Sequence, residues 1–281
     1  MRKILLAVVA HPDDESFGMG GTLALYAEEG VEVHLICATR GEAGEVPENM
    51  LDGQSSIAEL REKELNCAAK TLGLAEVHLL DYRDSGMPGS PDNKHPKALV
   101  QAPIVEVAKK IVLVIRRIKP QVVVTFDPLG GYMHPDHIAV HNACVKAFDL
   151  AGDRKIKIDN SLPFTPSKLY FHIFPRGLFR YIIKLMPLFG KDPRKFGKNR
   201  DIDLAAIMDQ DFPINARIKY RKVAEKREKA SACHASQGGD RHSGYILTWI
   251  MRLISSHEFF MRAVPLADKG YVEKDLFEGV N

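Results

Sequence analysis

The hydrophobic positions in the first half of the chain fall into two alternating patterns. Short apolar runs bounded by turn residues are typical of buried strands, and longer segments with helical spacing are typical of helices. The apolar runs predict strands over Ile4–Ala10, Val31–Ala38, Val77–Leu80, Val122–Phe126 and Lys168–Phe174. The helical spacing predicts helices over Thr22–Glu29, Ile57–Leu72, Ile104–Ile118 and His137–Leu150. This alternation indicates an α/β fold with a Rossmann-like, mostly parallel sheet flanked by helices.

The second half of the chain carries weaker patterns. They predict a long basic helix over Ile214–Ser231 and a short apolar helix over Ile246–Ile254. A last strand is predicted over Glu258–Val264, and the polar residues 268–281 are expected to be frayed. The 281 residues suffice for one large domain with a full hydrophobic core. We interpret the chain as a single domain made of an α/β core (residues 1–150), a variable insertion (151–215) and a C-terminal extension (216–281).

Composition narrows the class of protein. The chain has 45% hydrophobic and 27% charged residues, which is typical of a soluble globular protein. Its net charge of +3 is too small to indicate nucleic-acid binding. The four cysteines form no Cys-x-x-Cys pair, so we expect reduced, buried thiols and a cytoplasmic protein. The first apolar run, of about seven residues, is shorter than a membrane-spanning helix, and no secretory signal precedes it.

One histidine and three acids follow directly after the first predicted strand. They stand in Ala10-His11-Pro12-Asp13-Asp14-Glu15. Crowding carboxylates at the end of a buried strand is costly, and a bound cation is the usual compensation. His11 and Asp14 are three residues apart, so a turn can bring both onto one metal ion, whereas Asp13 between them points elsewhere. The alternative interpretation is a helix N-terminus rich in acids, which the helix dipole favours.

A second His-Pro-Asp tripeptide follows the fourth predicted strand. It stands in His134-Pro135-Asp136-His137, where Pro135 indicates the start of a helix. Ligands of a parallel sheet lie beyond the carboxyl ends of its strands, so both tripeptides are expected at one edge. Two such tripeptides favour a metal site over a purely structural role. The glycines at 18–21 lack the spacing of a dinucleotide site and are expected to form a turn that packs the first helix on the sheet.

These tripeptides resemble the motifs of the LmbE-like (PIG-L-like) zinc-dependent N-deacetylases. The resemblance covers about residues 3–150 and resumes at the His-Ala-Ser-Gln stretch 234–237. Supporting pieces are Thr39-Arg40-Gly41-Glu42, Arg61 with Glu64, and the stretch 82–87. Residues 151–215 match no pattern of the family, and Met133 stands before His134 where relatives often carry glycine, which slightly alters the wall of the pocket.

The resemblance implies a role for each matching residue. The ligands of one zinc ion per chain would be His11, Asp14 and His137, with Fe²⁺ as an alternative to Zn²⁺. The general base would be Asp13, and the opposing electrophile or acid would be His134, oriented by Asp136. Three nitrogen or oxygen ligands with an open position are typical of catalytic zinc, which lowers the pKa of its water to about 7. Candidate substrate contacts are Arg40, Glu42, Arg61, Arg83, Asp84, Tyr132 and His234.

Alternatives remain open for several of these residues. Asp136 could serve as a helix cap, and the three arginines could be solvated surface charges. The donor to a tetrahedral oxyanion could be His134 or Tyr132. The other histidines have no partner pattern and are expected to be structural or exposed: His34, His78, His95, His141, His172 and His257.

The resemblance implies zinc-dependent hydrolysis of the N-acetyl group of an N-acetylglucosamine-type amino sugar or conjugate. Two hypotheses from other classes remain, a non-heme Fe(II) enzyme that uses the same triad and a non-catalytic sugar-binding module that retains the metal. The expected partner is the small-molecule substrate. The aromatic and basic residues of 175–198 are expected to pack against the domain or a second subunit of a homo-oligomer, to cover the site or to touch a membrane surface.

Overall fold

The computed structural model describes residues 2–51, 53–174, 183, 185–190, 192–194, 204–208, 210–239, 256–268 and 270–280. The helix predicted over Ile246–Ile254 and most of the segment 175–198 lie outside these residues. Among the described residues, no helix is long and apolar enough to cross a bilayer.

A seven-stranded sheet forms the centre of the molecule, in the order β3-β2-β1-β4-β5-β7-β6. Its strands are β1 Ile4–Val9, β2 Glu32–Thr39, β3 Glu76–Tyr82, β4 Val122–Phe126, β5 Lys168–Ile173, β6 Ala216–Lys219 and β7 His257–Val264. Strands β1 to β5 pair in parallel, and β7 pairs antiparallel with β5 and β6. The predicted α/β class with a mostly parallel sheet is confirmed.

Helices cover this sheet. They are α1 Asp14–Glu28, α2 Ile57–Leu72, α3 Ile104–Ile118, α4 Gly130–Met133, α5 Pro135–Ala151, α6 Leu204–Met208 and α7 Ala224–Cys233. Both ends of α2 are as predicted, because local chemistry determines them. The Ser56 hydroxyl accepts from the Glu59 backbone N–H at the start, and Gly73 takes a left-handed conformation with φ 83° at the end.

The first helix begins earlier than the sequence predicts. It starts at Asp14 rather than Thr22, and the glycines at 18–21 lie inside it instead of forming a turn, with an irregular residue at Met19. Gly21 packs against the ring of Tyr220, where an added Cβ would lie 2.2 Å from a ring carbon. The predicted close packing is therefore real, but its partner is the segment after β6 rather than the sheet. Glu258 accepts from the Thr22 backbone N–H at 2.7 Å, beside the irregular turn.

Two predictions for the C-terminal half are wrong. The segment predicted as one basic helix begins with β6, because Ala216 and Ile218 are buried while Arg217 and Lys219 are exposed, the period of a strand. A helix follows only at Ala224–Cys233. The end of the chain is packed rather than frayed, since Leu276 and Phe277 are buried in the core.

The prediction of four reduced thiols is wrong for two of them. Cys67 of α2 and Cys233 of α7 form a disulfide, which joins the first half of the chain to the C-terminal extension. Cys37 and Cys144 are free and buried, as predicted. The pairing could not be predicted because the two cysteines are 166 residues apart.

The direction in which successive strands are added to the sheet reverses between β1 and β4. Strand β1 lies between β2 and β4, so the chain winds towards one edge through β2 and β3 and towards the other from β4 onward. Loops after two strands that diverge in this way leave a crevice at the carboxyl end of the sheet. One His-Pro-Asp tripeptide follows β1 and the other follows β4, and the fold therefore brings them to the same crevice.

Candidate active site

Three donor groups from the two tripeptide loops converge at this crevice. The Nδ1 of His11 lies 3.2 Å from the Nε2 of His137 and 3.5 Å from an Asp14 carboxylate oxygen. The Nε2 of His137 lies 3.2 Å from the other Asp14 oxygen. Ligands about 2.0–2.2 Å from a tetrahedral cation are separated by roughly 3.3 Å. The three donors thus already have the spacing that such a cation needs.

Neighbouring groups fix the direction of each donor. The Asp14 carboxylate accepts from the His11 backbone N–H at 2.8 Å. The Nδ1–H of His137 donates to the Gly130 carbonyl at 3.2 Å, which leaves Nε2 as the free acceptor. The His137 ring also stacks on Phe126, with centroids 4.0 Å apart.

The far side of the His11 ring faces two further carboxylates. Its Nε2 lies 3.1 Å from Asp136 and 3.4 Å from Asp84. Burial alone would lower the pKa of His11, but Asp84, Asp136 and Asp14 outweigh it and raise that pKa well above its ordinary value. A buried histidine surrounded by three carboxylates is an environment that suits a bound cation, and the donor set therefore fits the metal that the sequence predicts.

The predicted partner of Asp136 is wrong. Its fully buried carboxylate contacts His11 and accepts from the Ser85 backbone N–H at 2.9 Å. Its contact with His134 is through the backbone instead, since the Asp136 N–H donates to the Nδ1 of His134 at 3.2 Å. The Asp136 side chain thus orients a candidate metal ligand rather than His134.

Asp13 makes no contact with the three donors among those described above and lines a cavity instead. Its φ of 122° is rare for a residue with a side chain, and strain of this kind is concentrated at functional sites. Its carboxylate accepts from the Arg61 guanidinium at 3.1 Å, and its backbone N–H donates to Glu15 at 3.0 Å. Burial raises the pKa of Asp13 to about 7, although Arg61 acts in the opposite direction.

His134 lies opposite, on the wall of the same cavity. Its Nδ1 accepts the Asp136 N–H, so in the neutral ring the proton is on Nε2. Burial, with His11 and His137 nearby, lowers the pKa of His134 far below its ordinary value, which keeps the ring neutral. His134 is close enough to His11 and His137 to be a third ligand, but this tautomer makes it a hydrogen-bond donor.

The cavity has a volume of about 510 Å³. Of the seven predicted substrate contacts, Arg61, Asp84 and Tyr132 line it. Arg61 is buried and binds backbone carbonyls of both neighbouring loops, at Pro12 and at Gly41. A Cβ at Gly41, whose φ is +69°, would lie 2.1 Å from the Arg61 guanidinium.

The other four predicted contacts do not line this cavity. Arg40 pairs with Glu62 and Asp81 at the surface, and Arg83 pairs with Asp92 at 2.7 Å. Glu42 accepts from the Asp84 backbone N–H at 3.0 Å. His234 is fully buried and pairs with Glu15 at 2.7 Å. These four side chains support the loops around the cavity instead of facing its interior.

Sequence reasoning missed part of the cavity wall. The segments 43–45 and 86–90 line it, together with Gln237. The signal was present for both segments, since each follows the carboxyl end of a strand, β2 or β3. Gln237 belongs to the His-Ala-Ser-Gln stretch, where Ser236 donates to the buried carboxylate of Glu64.

Comparisons with known proteins agree with this geometry. The PIG-L family, described as GlcNAc-PI de-N-acetylase, matches residues 6–148. The chain is 37% identical over 242 residues to the 1D-myo-inositol 2-acetamido-2-deoxy-alpha-D-glucopyranoside deacetylase of Geodermatophilus obscurus. The aligned region covers 83% of this chain and 82% of that protein. These matches confirm the resemblance inferred from the motifs.

Two solved structures share the fold. N,N'-diacetylchitobiose deacetylase from Pyrococcus horikoshii superimposes with a TM-score of 0.61 at 22% identity, over 92% of this chain and 83% of that chain. GalB, the 4-carboxy-2-hydroxymuconate hydratase of Pseudomonas putida, does so with a TM-score of 0.62 at 18% identity, over 95% of this chain and 99% of that chain. Because one is a deacetylase and the other a hydratase, the fold alone does not determine the reaction.

Proposed function

Because the chain belongs to the PIG-L family, we propose that it is a metal-dependent hydrolase that removes the N-acetyl group from an N-acetylglucosamine-type sugar or conjugate. The observation that carries the proposal is the convergence of His11, Asp14 and His137, with Asp13 and His134 on the adjoining cavity wall. The products would be acetate and the free amine of the sugar. The Geodermatophilus relative, named for such a deacetylation, supports this choice over the hydration that the name of GalB describes.

His11, Asp14 and His137 would hold the cation, and zinc is the metal we propose. Two imidazoles and a carboxylate, with a position left open, are a common ligand set of catalytic zinc. Bound there, the cation supplies Lewis acidity to the amide oxygen and makes water acidic enough to lose a proton near neutral pH. The same set also binds Fe(II), so metal identity is part of the test below.

Asp13 acts as the general base in this proposal. It lines the same cavity as His11, and Arg61 holds its carboxylate, so it can accept a proton from the attacking water without being a ligand itself. His134 supplies the opposing group. Its Nε2–H donates to the oxygen that gains negative charge in the tetrahedral transition state.

The walls of the cavity suit a polar, hydroxyl-rich substrate. Charged side chains line one part, among them Arg61 and Asp84, whose carboxylate lies 3.4 Å from the Nε2 of His11. Tyr132 and the segment 86–90 form other parts of the wall. We propose that the acetamido sugar lies between these groups and that the attached alcohol extends along segments 43–45 and 86–90.

The test is a direct assay of acetate and primary amine. EDTA-treated protein is reloaded with Zn²⁺ or, anaerobically, Fe²⁺ and offered a panel of N-acetylglucosamine conjugates. The panel includes the inositol glycoside named for the Geodermatophilus relative. We expect equal amounts of acetate and amine, dependent on the metal. Tight sugar binding without acetate release would instead indicate a binding module, and no metal dependence would overturn the proposal.

A further inference from the structure

We propose that this chain carries a second site for a divalent transition-metal ion, built by His34, His78 and Glu76 and positioned by Glu32. These four residues are at the starts of β2 and β3. The candidate active site lies beyond the opposite, carboxyl ends of the parallel strands, so the two sites are separate. The proposal does not depend on the activity proposed above.

The sequence repeats one tripeptide at this place. Glu-Val-His occurs at residues 32–34 and again at 76–78. Side chains two residues apart on a strand point to the same face, so each repeat presents a carboxylate and an imidazole together. In the parallel pairing of β2 with β3, His34 is opposite Glu76. This register brings all four side chains to one face of the sheet.

The donor atoms have a spacing that suits a metal. His34 Nδ1 lies 3.3 Å from His78 Nε2 and 3.8 Å from a Glu76 oxygen. One donor atom from each of the three residues lies within 4.8 Å of the others. Tetrahedral ligands are roughly 3.3 Å apart, so small adjustments of Glu76 would complete the set.

The cluster is open to solvent on one side, so that a cation can reach it. The two histidines are buried, whereas the Glu76 side chain is 50% exposed. Rigid imidazoles are thus held by the sheet, and a cation can enter from solvent on the glutamate side. Water would fill the remaining coordination position.

Carboxylates are placed where they can orient both imidazoles, as they do in known metal sites. The Nε2–H of His34 donates to Glu32 at 3.0 Å, which leaves the lone pair of Nδ1 free. One oxygen of Glu76 lies 3.2 Å from the Nδ1 of His78 and can accept a hydrogen bond from an Nδ1–H, the tautomer in which Nε2 carries the free lone pair. The second oxygen of Glu76 then faces the cation.

Arg117 competes with the metal in this arrangement. Its guanidinium lies 2.8 Å from the Nδ1 of His78 and, as a pure donor, keeps the His78 proton on Nε2. Metal binding requires that this proton move from Nε2 to Nδ1, where Glu76 accepts its hydrogen bond, and that Arg117 turn away. The Arg117 side chain is 59% exposed, so it can move into solvent.

The donor types identify the class of ion. Two imidazoles and one carboxylate suit Zn²⁺, Co²⁺, Ni²⁺ or Cu²⁺, whereas Mg²⁺ and Ca²⁺ require more oxygen ligands. A bound ion would join the edge strand β3 to β2. It would therefore stabilise the folded chain at this edge.

The test is the metal stoichiometry of EDTA-treated protein, measured by equilibrium dialysis with Co²⁺ or Zn²⁺ and elemental analysis. We expect His34→Gln and His78→Gln each to bind one equivalent fewer than wild type, while the control His95→Gln matches wild type. His137→Ala should lose the other equivalent and keep this one. Unchanged stoichiometry in both His34→Gln and His78→Gln would overturn the proposal.

Arg117→Gln gives a second, independent test that leaves every ligand in place. Removing a positive charge and a competing donor a few ångströms from the ion should tighten binding at this site about fivefold or more. The glutamine side chain remains polar and exposed, so folding is not at risk. Equal or weaker binding by Arg117→Gln would contradict the assigned ligand geometry.

Discussion

Two adjacent aspartates after the first strand face different partners. Asp14 turns back to His11 and His137, and Asp13 turns outward to Arg61 and the cavity. The positive φ of Asp13 makes this divergence possible, because it redirects the chain between the strand and α1. Backbone strain at one residue thus separates the group that would hold a cation from the group that would move a proton.

At the residue scale, we predict that His137→Ala and His134→Gln differ in metal content. His137→Ala should weaken zinc binding by more than about 100-fold, because removing a ligand exceeds the 10–100-fold effect of an outer partner. His134→Gln should keep its zinc, because the Asp136 N–H occupies the only acceptor nitrogen of the neutral ring. Elemental analysis after dialysis should show one zinc equivalent fewer in His137→Ala than in His134→Gln, and loss of that equivalent in His134→Gln would make His134 a ligand.

The motifs predicted which residues meet at the site, but not the contacts of each side chain. His11, Asp14 and His137 converge because each tripeptide follows the carboxyl end of a parallel strand. The hydrophobic pattern of the sequence predicts both strands. The partner of Asp136 and the burial of His234 depend on side-chain packing across distant loops. No local pattern in the sequence contains that information.

At the scale of elements, α2 connects the site to the rest of the molecule. Its first half carries Arg61, which bridges the loops after β1 and β2. Glu64, one turn later, accepts from Ser236 of the C-terminal extension. Cys67 follows and bonds Cys233 of α7. Residues of α2 therefore hold the candidate base near the start of the helix and bind the C-terminal extension further along it.

We predict that Arg61→Lys lowers kcat by about 10–100-fold, as for other groups that orient a catalytic residue. One guanidinium nitrogen of Arg61 binds the Gly41 carbonyl and the other binds the Pro12 carbonyl and Asp13, and a single ammonium nitrogen cannot take both positions. Zinc content should stay at the wild-type level, and KM should change less than kcat. The control is Arg221→Lys at an exposed position. Steady-state kinetics with elemental analysis decide, and an unchanged kcat would show that Arg61 does not position Asp13.

Elements with local signals were predicted well, and those set by tertiary contacts were not. Helices α2 and α3 have the predicted ends because caps and periodicity lie within them. Helix α1 differs because Tyr220 packs on Gly21 and Glu258 binds the Thr22 amide, both from the other half of the chain. Strand β6 is only four residues long and highly basic, and its pairing with β7 makes it a strand.

At the scale of the whole molecule, the C-terminal residues close the structure. Leu276 donates its backbone N–H to the Tyr26 hydroxyl at 2.6 Å, next to the buried Phe277. Glu273 accepts from Lys168 at 2.7 Å and from the Tyr170 hydroxyl at 2.6 Å. The polar composition of this segment suggested fraying because its acids were assumed to face water, whereas Glu273 is in fact buried and paired.

We predict that Glu273→Ala lowers the free energy of unfolding by about 3 kcal/mol, because it leaves the buried Lys168 charge without its carboxylate. The matched control is its neighbour, Lys274→Ala, which is exposed and should change stability by less than about 0.5 kcal/mol. Denaturant titration followed by circular dichroism compares the two. Equal stability of both variants would mean that the C-terminal segment contributes little to the fold.

The most direct test of the central claim is the rate of acetate release and the zinc content measured on one preparation of Asp13→Asn. Asparagine keeps the shape of the side chain and accepts a positive φ, but it cannot take a proton. We predict full zinc occupancy and a rate roughly 10²–10⁴-fold below wild type, the usual loss when a general base is removed. A near-normal rate with full zinc would exclude Asp13 as the base, and loss of zinc would make it a ligand.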